Sequence, residues 1–386
     1  MRRTLGLATL VLGVGLAWAL WPVADPRWAI AVDASAARAA ERFLSDARPA
    51  APGEQPNVVV IVADDLGKYD TSLYGAGPVA TPNLARLADG GVRFTAGYVT
   101  SPVCSPSRAA LLTGRYAQRF GFELLTHDRY PRNRLEWWVA RTFFSTHGWH
   151  ALARPTAPSR ADMERQGIPA GEITLAQLLR ARGYRTGIFG KWHLGFGPGM
   201  LPAAKGFETH YGFYDAFSLY GDPDDPDLAA VRQPYFADRY QWWRGRSGGS
   251  AIRRNGTIVD EHEYLTAAIA REASAWIVEQ RNAPFFAYVP FNAPHHTALF
   301  WRAGGHQAVR AGGYKLIRDD RTGARALYDL AEDPRERTDL AARDPERAAA
   351  LARVLTGWES TLAPPRWPPA MEYRFTIGGQ HFVFPL

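Results

Sequence analysis

The stretch NVVVIVADDLG, residues 57–67, indicates the fold class. Its apolar run is unbroken and rich in β-branched side chains, which predicts a strand that is buried on both faces of a parallel α/β sheet. Two carboxylates, Asp64 and Asp65, follow this strand directly. Because open α/β sheets bind ligands at the carboxyl ends of their strands, these carboxylates lie where a site is expected.

Helical and strand-like patterns alternate along the chain that follows. Apolar spacing with Gly or Pro boundaries predicts helices in PNLARLADGG (82–91), SRAALLTGRY (107–116), ITLAQLLRARG (173–183) and Glu261 to Gln280. Continuous apolar runs predict strands in GVRFTAGYV (91–99), RTGIF (185–189) and PFFAYVPF (284–291). This alternation is typical of a large α/β domain.

The C-terminal part of the chain has a different pattern. Alternating apolar and polar residues with a Gly-Gly turn predict a small antiparallel sheet from GGYKLI (312–317), ALYDL (326–330) and EYRFTIGGQHFVF (372–384). The segment ERAAALARVLTGWEST (346–361) predicts a helix that packs against this sheet.

The N-terminus has the composition of an export signal. Arg2 and Arg3 precede an apolar run from Leu5 to Trp21, which is typical of a signal peptide and is also close to the length of an N-terminal anchor. In either case we expect the rest of the chain to be exported to a periplasmic or extracellular compartment. A membrane contact is expected only through a retained N-terminal anchor.

The charge composition argues against a nucleic-acid partner. The formal net charge is +7, but the arginines are scattered and do not form blocks. A basic balance is compatible with an anionic substrate and does not select one. We therefore expect no nucleic acid among the partners of this chain.

The chain has a single cysteine, Cys104, in the segment VCSPSR (103–108). One cysteine cannot form an internal disulfide, although exported proteins commonly pair their cysteines. Pro106 predicts a helix start just after Cys104, where negative charge is stabilised, and Arg108 can aim its guanidinium at the same position. From the residues alone, Cys104 is either a buried structural cysteine or one that is retained for its chemistry.

Two further polar segments follow predicted strands. In GKWHLG (190–195), Lys191 and His193 are expected on the same face of an extended segment, where a cation and an imidazole suit oxyanion binding and proton transfer. In NAPHHT (292–297), His295 is placed as a general acid. Ordinary surface loops with Lys and His are the alternative for both segments.

Taken together, these segments resemble the sulfatases of the alkaline phosphatase superfamily, those related to arylsulfatase A. The resemblance spans Asn57 to the mid-350s and is carried by VVIVADDLG, TPNLARLADGGVRFTAGYVTSPVCSPSRAALLTGRY, QRFGFE, GYRTGIFGKWHLG, PFFAYVPFNAPHHT, AVRAGGYKLI and LYDLAEDPRERTDLA. CSPSR and GKWHLG together are highly specific. The family implies an alkaline-phosphatase-like α/β fold, a mixed and mostly parallel sheet sandwiched by helices, with a small C-terminal antiparallel sheet plus a helix.

The resemblance implies that Cys104 is the precursor of the nucleophile. In sulfatases, a maturation enzyme oxidises the cysteine of the Cys-x-Pro-x-Arg motif to formylglycine, whose hydrated aldehyde attacks sulfur to give a covalent sulfo-enzyme. Arg108 matches the residue that holds formylglycine, and His193 matches the base near the diol. Lys191 matches a sulfate-binding cation, and His295 matches the histidine that faces the leaving-group oxygen.

The resemblance also implies a divalent metal, Ca²⁺ with Mg²⁺ as the second choice. Asp64 and Asp65 match its carboxylate ligands, and the modified residue at Cys104 also contacts it. The metal and the cations would stabilise the transferring SO₃ group. The implied substrate is a small-molecule or carbohydrate sulfate ester, and the implied reaction is hydrolysis of aryl or carbohydrate sulfates.

The chain departs from the family directly after NAPHHT. Family members continue through a segment that contains an Asp-Asn-Gly turn, which completes the metal site, and a Gly-Lys turn, which supplies a second sulfate-binding lysine. Here the chain runs directly into ALFWRAGGHQAVRAGGYKLI (298–317), so we predict an internal deletion near Thr297. Two other functions stay open: a phosphoester or phosphonate-ester hydrolase of the same superfamily, and a catalytically impaired remnant or binding module that lacks half of the metal site.

The predicted domains follow from these observations. We expect a signal peptide or anchor at 1–30, an Ala/Pro-rich linker at 31–56, an incomplete sulfatase catalytic domain at 57–297 and a C-terminal subdomain at 298–386. Substrate specificity is expected in the loops 123–173 and 213–260, whose Trp and Tyr side chains suit either stacking on sugar or aryl rings or ordinary packing.

Overall fold

A computed structural model describes residues 2–49, 55–67, 70–74, 81–101, 103–127, 130–144, 157–221, 242–292, 298–303, 306–311, 314–330, 332–333, 336–359, 372–377 and 379–385. The chain divides into two compact units, Met1–Asp64 with Tyr98–Ala293 and Asp65–Gly97 with Pro294–Leu386. Residues 65–97, which the sequence assigned to the catalytic domain, therefore group with the second unit.

Helices occur throughout the described chain. They are α1 (Arg2–Ala19), α2 (Ala34–Asp46), α3 (Pro82–Asp89), α4 (Cys104–Thr113), α5 (Arg134–Phe144), α6 (Arg160–Met163), α7 (Leu175–Ala181), α8 (Leu265–Glu279) and α9 (Pro345–Glu359). Within the described residues, no helix is both long enough and apolar enough to pass through a membrane.

The first unit is built on a six-stranded sheet. Its strands are β1 (Val58–Val62), β2 (Arg185–Lys191), β3 (Thr209–Phe213), β4 (Arg253–Arg254), β5 (Thr257–Ile258) and β6 (Phe285–Pro290). Their order is β1-β6-β2-β3-β4-β5, in which the first four strands are parallel and the last two form an antiparallel edge. The predicted mixed, mostly parallel sheet is confirmed.

Helices cover this sheet on both faces, as the family implies. Along β6, Phe286 and Tyr288 pack in a cluster with α4, while the alternate residues Ala287 and Val289 pack in a second cluster with α8. This alternation follows from the two-residue period of a strand, which points successive side chains to opposite faces. Strand β6 therefore lies in the middle of the hydrophobic core of the unit.

The prediction that β1 is buried on both faces is wrong. Val58, Val60 and Val62 pack against the α4 side, but Val59 is 45% exposed and Ile61 is 64% exposed. The reason is position, because β1 is the edge strand of the described sheet and α8 packs over β2, β3 and β6.

The second unit contains a four-stranded antiparallel sheet and a hairpin. The sheet has the order β10-β9-β8-β7, from β7 (Ala298–Ala303), β8 (His306–Ala311), β9 (Tyr314–Asp319) and β10 (Ala324–Asp329), and the hairpin joins β11 (Glu372–Ile377) to β12 (Gln380–Pro385). Leu351 and Leu355 of α9 pack on Val309 and Leu316 of the sheet. The predicted C-terminal antiparallel sheet plus helix is confirmed.

Two local predictions differ from the structure. GVRFTAGYV (91–99) has no strand, and Val92 and Phe94 are exposed, because no strand of the described chain pairs with this segment. The segment that was predicted as a linker contains α2, whose first turn is capped by Asp33, the acceptor for the main-chain N–H groups of Ser35 and Ala36.

At Gly190 the backbone of β2 lies close to that of β6. Its φ is 129°, and a Cβ at this position would lie 2.1 Å from the carbonyl oxygen of Pro290. We predict that Gly190→Ala lowers the free energy of unfolding by about 3 kcal/mol or more, because one of the two strands must shift. Urea denaturation measures the loss. The control is Gly114→Ala, because Gly114 has φ 67° and an added Cβ would meet open space. This variant should lower the free energy of unfolding by about 1 kcal/mol. Equal losses in the two variants would contradict the close approach at Gly190.

His210 of β3 should make the protein sensitive to acid. Burial lowers the pKa of His210 to about 3, with a further contribution from the Arg253 guanidinium. Below pH 6.5 the unfolded chain takes up a proton that the folded chain does not, so the free energy of unfolding should fall as the pH drops from 6.5 toward 3, by up to about 4 kcal/mol. His210→Phe should flatten this acid limb in denaturation series, whereas His262→Phe, at an exposed histidine, should leave it unchanged. Parallel acid limbs in wild type and His210→Phe would show that His210 is not the cause.

Candidate functional site

Three strand ends and one helix start converge at one edge of the first unit. Asp64 follows β1, Lys191 ends β2, Phe291 follows β6, and α4 begins at Cys104. The parallel pairing of β1, β6 and β2 brings their carboxyl ends to the same edge of the sheet. The structure therefore brings together side chains that are far apart in the sequence.

The guanidinium of Arg108 connects these elements. Its NH1 donates to the main-chain oxygen of Lys191 at 3.0 Å, and its NH2 donates to the main-chain oxygen of Phe291 at 3.1 Å. The same NH2 lies 3.2 Å from Oδ2 of Asp64. The sequence predicted that Arg108 aims at residue 104, whereas its described contacts join α4 to the ends of all three strands.

Asp64 is compensated by two buried cations. The Nζ of Lys191 lies 2.6 Å from Asp64 Oδ2, the oxygen that also faces Arg108. The side chains of Lys191 and Arg108 are each 3% exposed. Two cations against one carboxylate leave one formal positive charge, which water screens poorly and which therefore attracts an anion.

The side chains of Cys104 and His193 contact each other. Cys104 Sγ lies 3.3 Å from His193 Nδ1, and His193 Nε2 lies 3.3 Å from the main-chain oxygen of Thr126. Because a carbonyl oxygen can only accept a hydrogen bond, Nε2 carries the proton and Nδ1 is the free base. The imidazole therefore presents its basic nitrogen to residue 104.

Burial keeps this imidazole neutral. His193 is fully buried, which lowers its pKa well below the usual value, and the charges of Lys191, Arg108 and His127 lower it further. Its φ of 55° lies in the left-handed region, so the predicted extended segment ends at Lys191 and turns sharply at His193. This turn sends Lys191 toward Asp64 and His193 toward Cys104.

Two residues that hold His193 were missed by the sequence analysis. Ser105 Oγ donates to the main-chain oxygen of His193 at 2.5 Å, and Thr126 Oγ1 reaches the same oxygen at 3.4 Å. Ser105 directly follows Cys104 in the sequence, and this adjacency could have indicated a role for Ser105. Thr126 has no such signal, because only the fold brings it to His193.

Two predicted site residues are not part of the described cluster. Asp65 belongs to the second unit and is exposed, with φ 58°. His295 lies outside the described residues. Their predicted roles therefore stay predictions.

The first unit contains a cavity of about 500 Å³. His127, which follows Thr126 directly, lines it together with Tyr130, Met163 and Phe196. The rings of His127 and Tyr130 are in edge contact, 5.4 Å between centroids. The walls combine these rings and apolar side chains with the charged Arg132, Arg160 and Glu164, and they come in part from the 123–173 segment.

A model of the sulfatase domain matches residues 56–307 of this sequence. The chain belongs to the sulfatase family. It is 42% identical over 171 residues to human arylsulfatase A, covering 44% of this chain and 26% of that protein. It is 30% identical over 260 residues to an arylsulfatase of Klebsiella aerogenes, covering 67% of this chain and 47% of that protein. It is 32% identical over 275 residues to N-acetylgalactosamine-6-sulfatase of Sus scrofa, covering 70% of this chain and 46% of that protein. The chain thus spans less than half of the length of each of these relatives.

The donor set does not fit the divalent metal that sulfatases generally use. Among the described residues, no group of three or more His, Cys, Asp and Glu side chains could hold a metal ion. Asp64 is already paired with Lys191 and Arg108, while calcium takes six to eight oxygen ligands. The metal role of Asp64, Asp65 and Cys104 stays a prediction.

The surroundings of Cys104 do fit a formylglycine. Cys104 is the first residue of α4, is partly exposed and faces the unprotonated nitrogen of His193. A hydrated aldehyde at this position would supply a hydroxyl group to attack sulfur. The start of α4 and His193 would hold it.

The contact between Cys104 and His193 can be tested on the unmodified thiol. We predict that His193→Gln slows alkylation of Cys104 by iodoacetamide at neutral pH about tenfold, because the thiol loses the base that accepts its proton. The single cysteine of the chain makes peptide mass spectrometry an unambiguous readout. His127→Gln, which removes a neighbouring imidazole, is the control and should leave the rate unchanged. If His193→Gln and wild type react equally fast, Nδ1 is not the base for residue 104.

Proposed function

We propose that this chain is a sulfuric ester hydrolase that cleaves aryl or carbohydrate sulfate esters through residue 104. The observation that carries the proposal is the contact of 3.3 Å between Cys104 Sγ and His193 Nδ1, beside the buried cations Lys191 and Arg108. Membership of the sulfatase family and similarity to arylsulfatases and to an N-acetylgalactosamine-6-sulfatase support the same reaction.

The buried positive charge binds and orients the sulfate group. Among the described residues, Lys191 and Arg108 both pair with the carboxylate of Asp64. As the ester bond breaks, negative charge grows on the sulfate oxygens and on the leaving oxygen. Cations that are already fixed in place stabilise this charge more strongly in the transition state than in the bound ester.

His193 moves the proton at residue 104. Its Nε2–H is committed to the carbonyl of Thr126, so Nδ1 is the nitrogen that accepts a proton from the attacking group. Because the pKa of His193 is held well below its usual value, the imidazole starts neutral and can act as a base at physiological pH. His295 is proposed, from its match to the family motif, as the acid that protonates the leaving-group oxygen.

The nucleophile requires modification of Cys104. We propose that a formylglycine-generating maturation enzyme converts this cysteine, and that the chain is exported to a periplasmic or extracellular compartment. The basic N-terminus with its apolar run, 1–30, supports export as a signal peptide or anchor.

The cavity lined by His127 is proposed to hold the alcohol portion of the ester. Its lining includes the rings of His127, Tyr130 and Phe196, which suit the face of an aryl or sugar ring, and the charged Arg132, Arg160 and Glu164, which suit polar groups of a sugar. The sulfate would then lie on the side of Lys191, and the ring on the side of Phe196.

The incomplete donor set favours a second candidate function. The described residues include Lys191, Arg108 and Asp64 but no group of three or more metal-ligating side chains, and such a site would bind a sulfated compound without turning it over. If the chain is such an anion-binding remnant, it should bind sulfate but should not hydrolyse a sulfate ester.

The decisive experiment uses the full chain from a host that contains the maturation enzyme. We expect the peptide with Cys104 to lose about 18 Da on conversion to the aldehyde, and the protein to hydrolyse an aryl sulfate faster than the matching aryl phosphate. Lys191→Met should lower kcat/KM at least about hundredfold. Lys315→Met, which removes a lysine paired with Glu336 in the second unit, should not.

The possible outcomes separate the candidates. Conversion of Cys104 with no hydrolysis, but with sulfate binding that Lys191→Met removes, would select the anion-binding remnant. Faster hydrolysis of the aryl phosphate would select a phosphoester hydrolase. An unmodified thiol with no turnover would overturn the hydrolase proposal.

A further inference from the structure

Helix α5 exposes an apolar face to solvent. In its sequence, RLEWWVARTFF, Leu135 is 44% exposed, Trp138 55%, Val139 38% and Phe143 60%. Residues at spacings of three, four and eight lie on one side of a helix. Helices of globular proteins normally turn such a side toward the core, so this face suits a partner that is itself apolar.

Helix α1 presents similar side chains beside α5. Leu12, Leu16 and Trp18 are each more than half exposed. The guanidinium of Arg134, the first residue of α5, stacks over the ring of Trp18 at 5.0 Å. Just beyond α1, the main-chain N–H of Val23 donates to the oxygen of Arg132 at 3.2 Å, and Pro22 pairs with Asn133. The end of α1 is therefore fixed against the start of α5.

The charges around this apolar face are mostly positive. Arg132, Arg134 and Arg141 fall within residues 130–144, whereas Glu136 is the only acidic residue of that stretch. The Glu136 carboxylate accepts a hydrogen bond from the main-chain N–H of Arg132, and the Arg141 guanidinium lies over the Trp137 ring at 5.3 Å. Arginines with long apolar stems, next to exposed Trp and Leu, are typical of helices that lie in a membrane interface.

We propose that α5, together with the end of α1, lies in the surface of an anionic lipid bilayer. Leu135, Trp138 and Val139 enter the boundary between headgroups and acyl chains, while Arg134 and Arg141 contact the phosphates. The positive charge selects an anionic bilayer over a second copy of this chain, which would bring like charges together. This inference concerns the exposed face of α5, which does not line the cavity proposed for the substrate.

The test is co-sedimentation of the full chain with lipid vesicles. We expect binding to vesicles of phosphatidylglycerol and phosphatidylcholine, weaker binding to phosphatidylcholine alone, and loss of affinity with added salt. The double variant Leu135→Glu/Trp138→Glu should bind at least about tenfold more weakly than wild type. The control is Val278→Glu on α8. It adds a charge at another exposed apolar residue of the same unit, with Val278 61% exposed, and should leave vesicle binding unchanged.

A variant that lacks residues 2–21 separates the contributions of α1 and α5 to vesicle binding. Its vesicle binding should be weaker than that of the full chain, and it should still fall when Leu135 and Trp138 are replaced. Thermal melts that match wild type establish that the variants fold. Equal binding of the double variant and Val278→Glu would overturn the proposal, as would absence of binding to the anionic vesicles. Light scattering that shows wild-type dimers, which the double variant loses, would assign the face to a second copy instead.

Discussion

One buried guanidinium determines the geometry of the candidate site. Arg108 extends from α4 and finds its acceptors at the ends of β2 and β6 and on the carboxylate that follows β1. A buried charge is costly unless its donors are paired, so these contacts fix where α4 begins relative to the edge of the sheet. Because Cys104 is the first residue of α4, the position of the reactive side chain depends on the pairing of Arg108. The same arrangement keeps Lys191 beside Asp64 and leaves the excess positive charge that suits a sulfate ester.

The helix that carries Cys104 also helps to orient its base. Ser105, the next residue, binds the main-chain oxygen of His193, and the carbonyl of Thr126 binds the far nitrogen of the ring. Together they hold His193 in a left-handed backbone conformation that a non-glycine residue rarely adopts. The proposed nucleophile and its proposed base are therefore not independent, since a shift of α4 would move both Cys104 and His193. The low pKa of His193 follows from the same enclosure, because the imidazole is buried beside two cations.

The proposed anion-binding residues lie together in one unit of this chain. The residues that we propose for anion binding and proton transfer are all in the first unit, namely Asp64, Arg108, Lys191 and His193. Strand β6 ends at Pro290 and β7 begins at Ala298, and the internal deletion near Thr297 stays a prediction. The edge position of β1, with Val59 and Ile61 exposed, shows how little covers this side of the described sheet.

The sequence by itself determined the parallel sheet, the C-terminal antiparallel sheet with its helix, and the motifs that follow the strands. It could do so because strand periodicity, glycine stops and the CSPSR and GKWHLG motifs are local patterns. It failed for residues 91–99 and for the burial of β1, because pairing and covering depend on neighbours that are distant in the chain. Only the tertiary structure decided that Asp64 is shared by Lys191 and Arg108, that Thr126 sets the tautomer of His193, and that α5 turns an apolar face to solvent. Each of these results from contacts across the fold, which no local pattern encodes.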